Sequence, residues 1–212
     1  MNKNFDNNGF KYVDLDLPSG TLWATCNVGA DKPTDYGKYF QWGDINGYTK
    51  KQVGKDKDFN FDDYKWNPSG NGRTFTKYNT CCATLDLEDD TANFHMKGDW
   101  HMPTPEQIKE LIDNTTHSWG WHTHSWEWHN LDDVKGMRFT SKQDTSKSIF
   151  IPAAGFAFDG SVHDIGNEAD IWSSMLDKSY INYSQYLLLT SGYVCLDNYY
   201  HCCGFPVRGV IG

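Results

Sequence analysis

Side chains able to do chemistry gather at a few places in the 212 residues. The densest is a seven-residue unit written twice, His117-Ser-Trp-Gly-Trp-His-Thr followed by His124-Ser-Trp-Glu-Trp-His-Asn. In a strand, His122 and His124 would project from one face and could share Zn, Cu or Ni, metals that suit imidazole. Neither Cys nor carboxylate stands at ligand spacing to complete such a site, so no metal is assigned. Trp119, Trp121, Trp126 and Trp128 of the same repeat read instead as packing, or as an aromatic surface that stacks sugar rings or grips a protein.

A second group is the acidic run Glu88, Asp89 and Asp90. A helix from Asp86 to about Phe94 would place these acids in its first turn, where the helix dipole favours negative charge. Otherwise they are a carboxylate pair or calcium ligands. The six cysteines include two adjacent pairs, Cys81/Cys82 and Cys202/Cys203, with Cys26 and Cys195 standing alone. The absence of C-x-x-C argues against a zinc ribbon or a thioredoxin-type site, and the spacing favours free thiols over a disulfide framework. The sequence also lacks G-x-S-x-G, H-E-x-x-H, a P-loop and G-x-G-x-x-G, so no catalytic residue and no cofactor is assigned.

The end of the chain is the most informative stretch. Between Tyr186 and Phe205 there is no Trp, Met, Lys, Glu or Gln. A hairpin is expected there, with arms Gln185 to Leu189 and Tyr193 to Leu196 around Thr190-Ser191-Gly192. Alternation places Tyr186 and Leu188, then Tyr193, Cys195 and Asp197, on one face of it. With Leu187, Leu189, Val194 and Leu196 turned to the core, that face is expected to look outward. Continued through Tyr199, Tyr200, His201, Cys202 and Cys203, it forms the candidate ligand-binding surface. A strand buried on both sides is the alternative.

The elements needed to hold that surface are short. Thr104-Pro105-Glu106-Gln107 has a Thr N-cap, Pro at N1 and Gln at N3, which predicts a helix over about 105–114 with Ile108, Leu111 and Ile112 on one face. Ile149-Phe150-Ile151 and Phe156-Ala157-Phe158 read as strands, and Asp159-Gly160 as a hairpin turn into Ser161-Val162-His163. Residues 46–80, rich in Gly, Asn, Asp and Lys, read as a long surface excursion within a single domain spanning 1–212. The class is α+β, short strands with two helices. Twenty-eight acidic against nineteen basic side chains give net charge −9, without a Lys/Arg cluster to track phosphates, so nucleic acid is not an expected partner. No stretch approaches the roughly 18 apolar residues of a membrane span, and no membrane insertion is expected. No signal peptide is visible, which leaves a chain kept in the cell, one released by lysis or in a particle, or one whose signal has been trimmed.

Taken together, Val13-Asp-Leu-Asp-Leu-Pro-Ser-Gly-Thr-Leu-Trp-Ala-Thr-Cys-Asn-Val-Gly29 and Asp35-Tyr-Gly-Lys-Tyr-Phe-Gln-Trp-Gly43 strongly resemble the Fibrobacter succinogenes major paralogous domain. The likeness continues through Trp100-His-Met-Pro-Thr104, Ile151-Pro-Ala-Ala-Gly155, Ile171-Trp-Ser-Ser174 and Gly204-Phe-Pro-Val-Arg208, and so covers nearly the whole chain. The resemblance implies a C-type lectin-like fold, whose loops carry recognition and whose terminal strands lie together. The ending is also similar to the variable proteins of diversity-generating retroelements. In those proteins template AAC codons can become codons for Tyr, Leu, Cys, Asp, His, Ser, Phe and others, but never for Trp, Met, Lys, Glu or Gln.

That resemblance implies a non-enzymatic protein that binds a protein or cell-surface receptor through a variable region at about 175–205. It implies display on a phage particle or bacterial surface, and such particle-borne modules are often homo-oligomers. Relatives usually carry Arg where His201 stands and Pro where Gly209 stands, and the first copy of the His/Trp unit looks like an insertion. Glu-Pro-Asn, Gln-Pro-Asp and Trp-Asn-Asp, the calcium motifs of sugar-binding lectins, are absent. The cysteine arrangement of formylglycine-generating enzymes is not recognisable in Cys195, Cys202 and Cys203. A cell-surface carbohydrate-binding or adhesion domain using the Trp/His hairpin is the second reading, and a metal-dependent enzyme the third.

Overall fold

The computed structural model describes residues 4, 5, 8–121 and 134–212. Along the chain run β1 (Asn4–Phe5), β2 (Lys11–Asp14), β3 (Leu22–Ala24), α1 (Thr91–Met96), α2 (Pro105–Asn114), β4 (Thr115–Trp121), β5 (Lys135–Ser141) and β6 (Ser148–Pro152). There follow β7 (Phe156–Phe158), β8 (Ser161–His163), β9 (Ala169–Leu176), β10 (Tyr183–Leu189), β11 (Val194–Tyr200) and β12 (Val210–Ile211). The strands make four antiparallel sheets, ordered β1-β2-β3-β12, β11-β10-β9, β4-β5-β6 and β7-β8. The class is thus mixed α+β, with two helices among the described residues.

Local chemistry sets α2 where the sequence predicts it. The Thr104 hydroxyl accepts from the Gln107 N–H and the Gln107 side chain accepts from the Thr104 N–H, closing a reciprocal capping box ahead of Pro105. Ile108 and Leu111 then bury against Trp23, Ile171 and Leu187. The other helix differs from expectation. It starts only at Thr91, because Asp90 acts as its N-cap, accepting from the Asn93 N–H, while residues 86–90 form tight turns. Glu88 and Asp89 therefore precede α1 and do not occupy its first turn. Asp90 also accepts from the Met102 N–H, a contact with a residue twelve positions on that outweighs helical propensity over 86–90.

The core is built on tryptophan. Trp23, Trp42, Trp100 and Trp172 are fully buried. Two of them are pinned by hydrogen bonds, Trp42 Nε1 to the Ser173 carbonyl and Trp172 Nε1 to the Phe40 carbonyl, each at 2.8 Å. Residues 46–80 hold one regular element, a 3-10 turn at Phe61–Asp63, yet they do not ride on the surface throughout. Val53, Phe59, Tyr64, Phe75 and Tyr78 plug into the core and anchor the excursion. Gly204 is needed where this happens, since a Cβ there would meet the Phe59 ring at 2.4 Å.

The last ten residues close the fold. Phe40 and Phe205 exchange backbone hydrogen bonds at 3.0 Å, Val28 donates to Val207 at 2.8 Å, and β12 pairs with β3 beside β2. Arg208 is entirely buried. Its guanidinium donates to Asn27 Oδ1 at 2.9 Å and to the carbonyls of Ala24 at 2.9 Å and Phe150 at 3.1 Å, stitching three segments together. Hydrogen bonds of this kind satisfy a buried charge that would otherwise be strongly unfavourable.

Candidate functional site

The hairpin β10–β11 forms with Leu189 opposite Val194, Leu187 opposite Leu196, Leu188 opposite Cys195 and Tyr186 opposite Asp197. Leu187 and Leu189, with the partly buried Val194 and Leu196, pack with α2 and Trp23 in one hydrophobic cluster, as the alternation predicts. The other face carries Tyr186, Leu188, Cys195 and Asp197 together, again as predicted. It is not open along its whole length.

Four candidate residues lie inside the protein. Tyr186 is 4% exposed, wedged edge-on against Phe205 at 4.8 Å and Trp172 at 6.1 Å. His201, Cys202 and Cys203 are 1%, 0% and 0% exposed. The outward reading needed nothing above this face, but the chain's own ending covers it: beyond Tyr200 the backbone turns inward, and the His201 carbonyl accepts from Trp42 while Gly204 pairs with Ala157. These four are core, and the surface narrows to Tyr193, Asp197, Leu188, Cys195, Tyr199 and Tyr200.

Within that surface, Tyr193 is 70% exposed at the hairpin turn and Asp197 is exposed on β11, the outer strand of its sheet. Leu188, Cys195, Tyr199 and Tyr200 are half-buried, with Tyr199 packed against Phe156 and Phe205. Two further tyrosines extend the surface. Tyr200 lies 4.6 Å from Tyr183, and Tyr183 lies 5.8 Å from Tyr180, itself 64% exposed. The sequence reading passed over both; their place inside 175–205, just ahead of the first arm, was the available signal. A row of amphipathic rings on a rigid sheet buries area at small entropic cost when a partner docks.

Burial sets the state of several ionisable groups here. Burial, reinforced by Asp197, pushes the Cys195 thiol up, so it is a poor nucleophile at neutral pH. Burial likewise raises Cys203 and drives His201 down to about 3. The His201 ring lies among Tyr64 at 4.3 Å, Phe75 at 4.6 Å and Phe61 at 5.9 Å, and neither ring nitrogen has a hydrogen-bond partner. All six cysteines are free thiols.

The acidic run has a structural task. Lys77 Nζ sits 2.7 Å from Asp86, 3.1 Å from Glu88 and 2.5 Å from Asp89, while Lys65 reaches Asp89 at 2.9 Å and the Tyr78 hydroxyl donates to it at 2.8 Å. The ligand atoms of Asp86, Glu88 and Asp89 do lie within 4.8 Å of one another, but the Lys77 ammonium already stands among them. Calcium ligation by Glu88, Asp89 and Asp90 is therefore replaced by an internal ion-pair cluster and a helix cap. Of the His/Trp repeat, Trp119 is half-buried against the cluster of Trp23, Ile108 and Leu111, and Trp121 ends β4. His122, His124, Trp126, Trp128 and His129 lie outside the described residues. A cleft of about 510 Å³, lined by Phe10, Thr25, Cys26, His95 and Met96, includes no hairpin residue. No protein-family model, curated protein or solved structure matches the chain. No helix among the described residues is long and apolar enough to cross a membrane.

Proposed function

We propose that this protein is a non-enzymatic binding module of C-type lectin-like architecture. It recognises a protein or cell-surface receptor through the outer face of β11, the turn at 190–193 and the flanking tyrosines. One observation carries this reading: within a single hairpin, Tyr193 and Asp197 are exposed and Tyr200 half-exposed, while the segments on either side, Ile171-Trp172 and Gly204 to Arg208, are wholly buried. An exposed set of side chains on a buried frame is what a surface needs if its residues are to change without loss of the fold. The lack of Lys, Glu, Gln, Met and Trp between Tyr186 and Phe205 supports diversification through a retroelement template.

The test is the DNA around the gene. The expected finding is a near-copy of the 3′ end beside a reverse-transcriptase gene, differing only at template adenines, with those differences falling in codons for exposed or half-exposed positions such as Tyr193, Cys195, Asp197 and Tyr199. Differences concentrated in the codons of Phe205, Val207 and Arg208 would contradict the reading. Absence of any such copy would leave an undiversified adhesion domain.

A further inference from the structure

The sheet β11-β10-β9 has two margins, and the chain closes only one of them. Along β9 the outward groups are taken: Trp172 N–H donates to the Pro206 carbonyl at 3.2 Å, Ser174 N–H to Pro103 at 2.9 Å and Leu176 N–H to Ala83 at 2.9 Å, while the Ser174 carbonyl accepts from Leu85 at 2.9 Å. The β11 margin is different. Thr190 N–H donates to the Tyr193 carbonyl at 2.8 Å and His201 N–H to the Asn182 carbonyl at 3.2 Å, which fixes the phase of the antiparallel ladder from both ends. Leu188/Cys195, Tyr186/Asp197 and Ser184/Tyr199 are then the hydrogen-bonded pairs, and the N–H and C=O groups of Val194, Leu196, Asn198 and Tyr200 point away from β10. The Tyr200 carbonyl accepts from the Cys203 N–H at 3.0 Å, and the Asn198 N–H donates to Asp197 Oδ1 at 2.8 Å. Among the described residues, none bonds to the outward groups of Val194 and Leu196.

Nothing blunts this margin. β11 runs seven residues without Pro, Lys or a shift of register against β10, and Asp197 and Asn198, on opposite faces, are both exposed. Such an edge is a template for another strand. Its charge says which kind. Between Lys178 and the buried Arg208, the only Asp, Glu, Lys or Arg is Asp197, on a chain of net charge −9. A second copy would bring the same carboxylate and the same excess of negative charge, whereas a basic segment sets an ammonium or guanidinium opposite Asp197. We propose that β11 binds an extended, basic segment of a partner protein by strand addition, with the N–H and C=O groups of Val194 and Leu196 forming two rungs and Asp197 pairing with Lys or Arg across the new ladder. This pairing rests on the reading of the hairpin as a recognition surface and narrows its partner to an extended polypeptide. It also separates affinity from identity: backbone groups stay the same whichever side chains β11 carries, so the rungs persist while Tyr193, Cys195 and Tyr199 select.

The experiment follows amide hydrogen exchange by NMR on the full, isotope-labelled chain at neutral pH and low salt, with the peptide acetyl-Thr-Lys-Val-Lys-Val-Lys-Thr-amide as the probe. In the free chain the Val194 and Leu196 amides are expected to exchange fast, and those of Cys195 and Asp197, which donate to β10, slowly. About 5 mM peptide is expected to slow Val194 and Leu196 about tenfold, the effect of a Kd of about 0.5 mM. With Lys opposite Asp197 the two Val amides of the peptide face β11, so N-methylating both should abolish the protection and N-methylating the Lys amides should not. Asp197→Asn, whose Oδ1 still accepts from Asn198, should weaken the peptide by about 1.5–5-fold, and a peptide with Glu in place of Lys should bind more weakly still. Slow Val194 and Leu196 amides in the free chain, no protection at 5 mM peptide, protection indifferent to the Val N-methyl groups, or equal binding of the Glu peptide would each overturn strand addition by a basic segment. Protection that grows with protein concentration alone would overturn it in favour of a second copy. Either failure concerns the edge of β11 only, while the adenine-directed differences in the gene remain the separate test of the tyrosine surface.

Discussion

Replacing His201 by Phe should flatten the acid side of the stability profile. In the folded chain the imidazole is 1% exposed, unpartnered and driven by burial down to about 3, whereas in an unfolded chain it titrates near ~6.5. Between these values the unfolded state carries a proton that the folded state refuses, so stability falls as pH drops through the unfolded value and goes on falling toward the folded one. The slope approaches about 1.4 kcal/mol per pH unit, so pH 5 lies about 2 kcal/mol below neutrality on account of this ring alone. The rings packed around it, Tyr64, Phe75 and Phe61, are uncharged in this range and offer no compensating anion. Asp170 works in the opposite sense. Its carboxyl is raised in the fold, so its contribution is present at low pH and is lost as pH rises. That term is common to both chains and cancels in their difference. Urea unfolding of wild type and His201→Phe at pH 7 and pH 5 measures the effect. The variant should lose about 2 kcal/mol less than wild type on acidification, and at neutral pH should be no less stable, because two unpaired buried nitrogens are gone. Equal losses would refute the reasoning.

Tyr193→Ala is expected to leave the melting temperature nearly unchanged and to weaken ligand binding, read by calorimetric unfolding alongside a binding titration. Tyr186→Ala, on the same hairpin but enclosed by Trp172 and Phe205, should cost about 3–5 kcal/mol in urea titration. Tyr199→Ala, half-buried on Phe205, should lower both stability and binding. Arg208→Met leaves Asn27 Oδ1 and the carbonyls of Ala24 and Phe150 without their donor and should cost about 3–5 kcal/mol, a loss that Arg208→Lys, with a single ammonium, should recover only in part.

Features decided by neighbouring residues were legible in the sequence. Thr104 and Gln107 cap each other three positions apart. Asp159 and Gly160 turn with φ of 45° and 71°, the left-handed pair that their types favour. The alternation around Thr190-Ser191-Gly192 set the faces of β10 and β11 correctly. Features decided across the chain were not legible. Asp90 is diverted from an expected first turn to a cap by the Met102 N–H. The burial of His201, Cys202 and Cys203 depends on Phe61, Tyr64 and Phe75, supplied by an excursion whose composition reads as surface. A polar residue such as His201 carries no hydropathy signal for an aromatic cage, and alternation says which side chains share a face without saying what covers it.

The order in which the chain is made gives the buried ending a second significance. Phe205, Val207, Arg208 and Val210 complete contacts with Phe40, Val28, Ala24, Asn27 and Trp23, residues synthesised at the opposite end of the chain. At on the order of 5–20 residues per second, these early residues wait about ten to forty seconds for their partners. Whatever stands between 175 and 205 is therefore on the chain before the fold can close over it. A newly introduced side chain that suits the exposed row leaves closure unaffected, whereas one that disturbs the inward turn at His201 prevents it and exposes the whole chain to proteolysis. The closing contacts thus tolerate substitution on the exposed row and resist it at the inward turn.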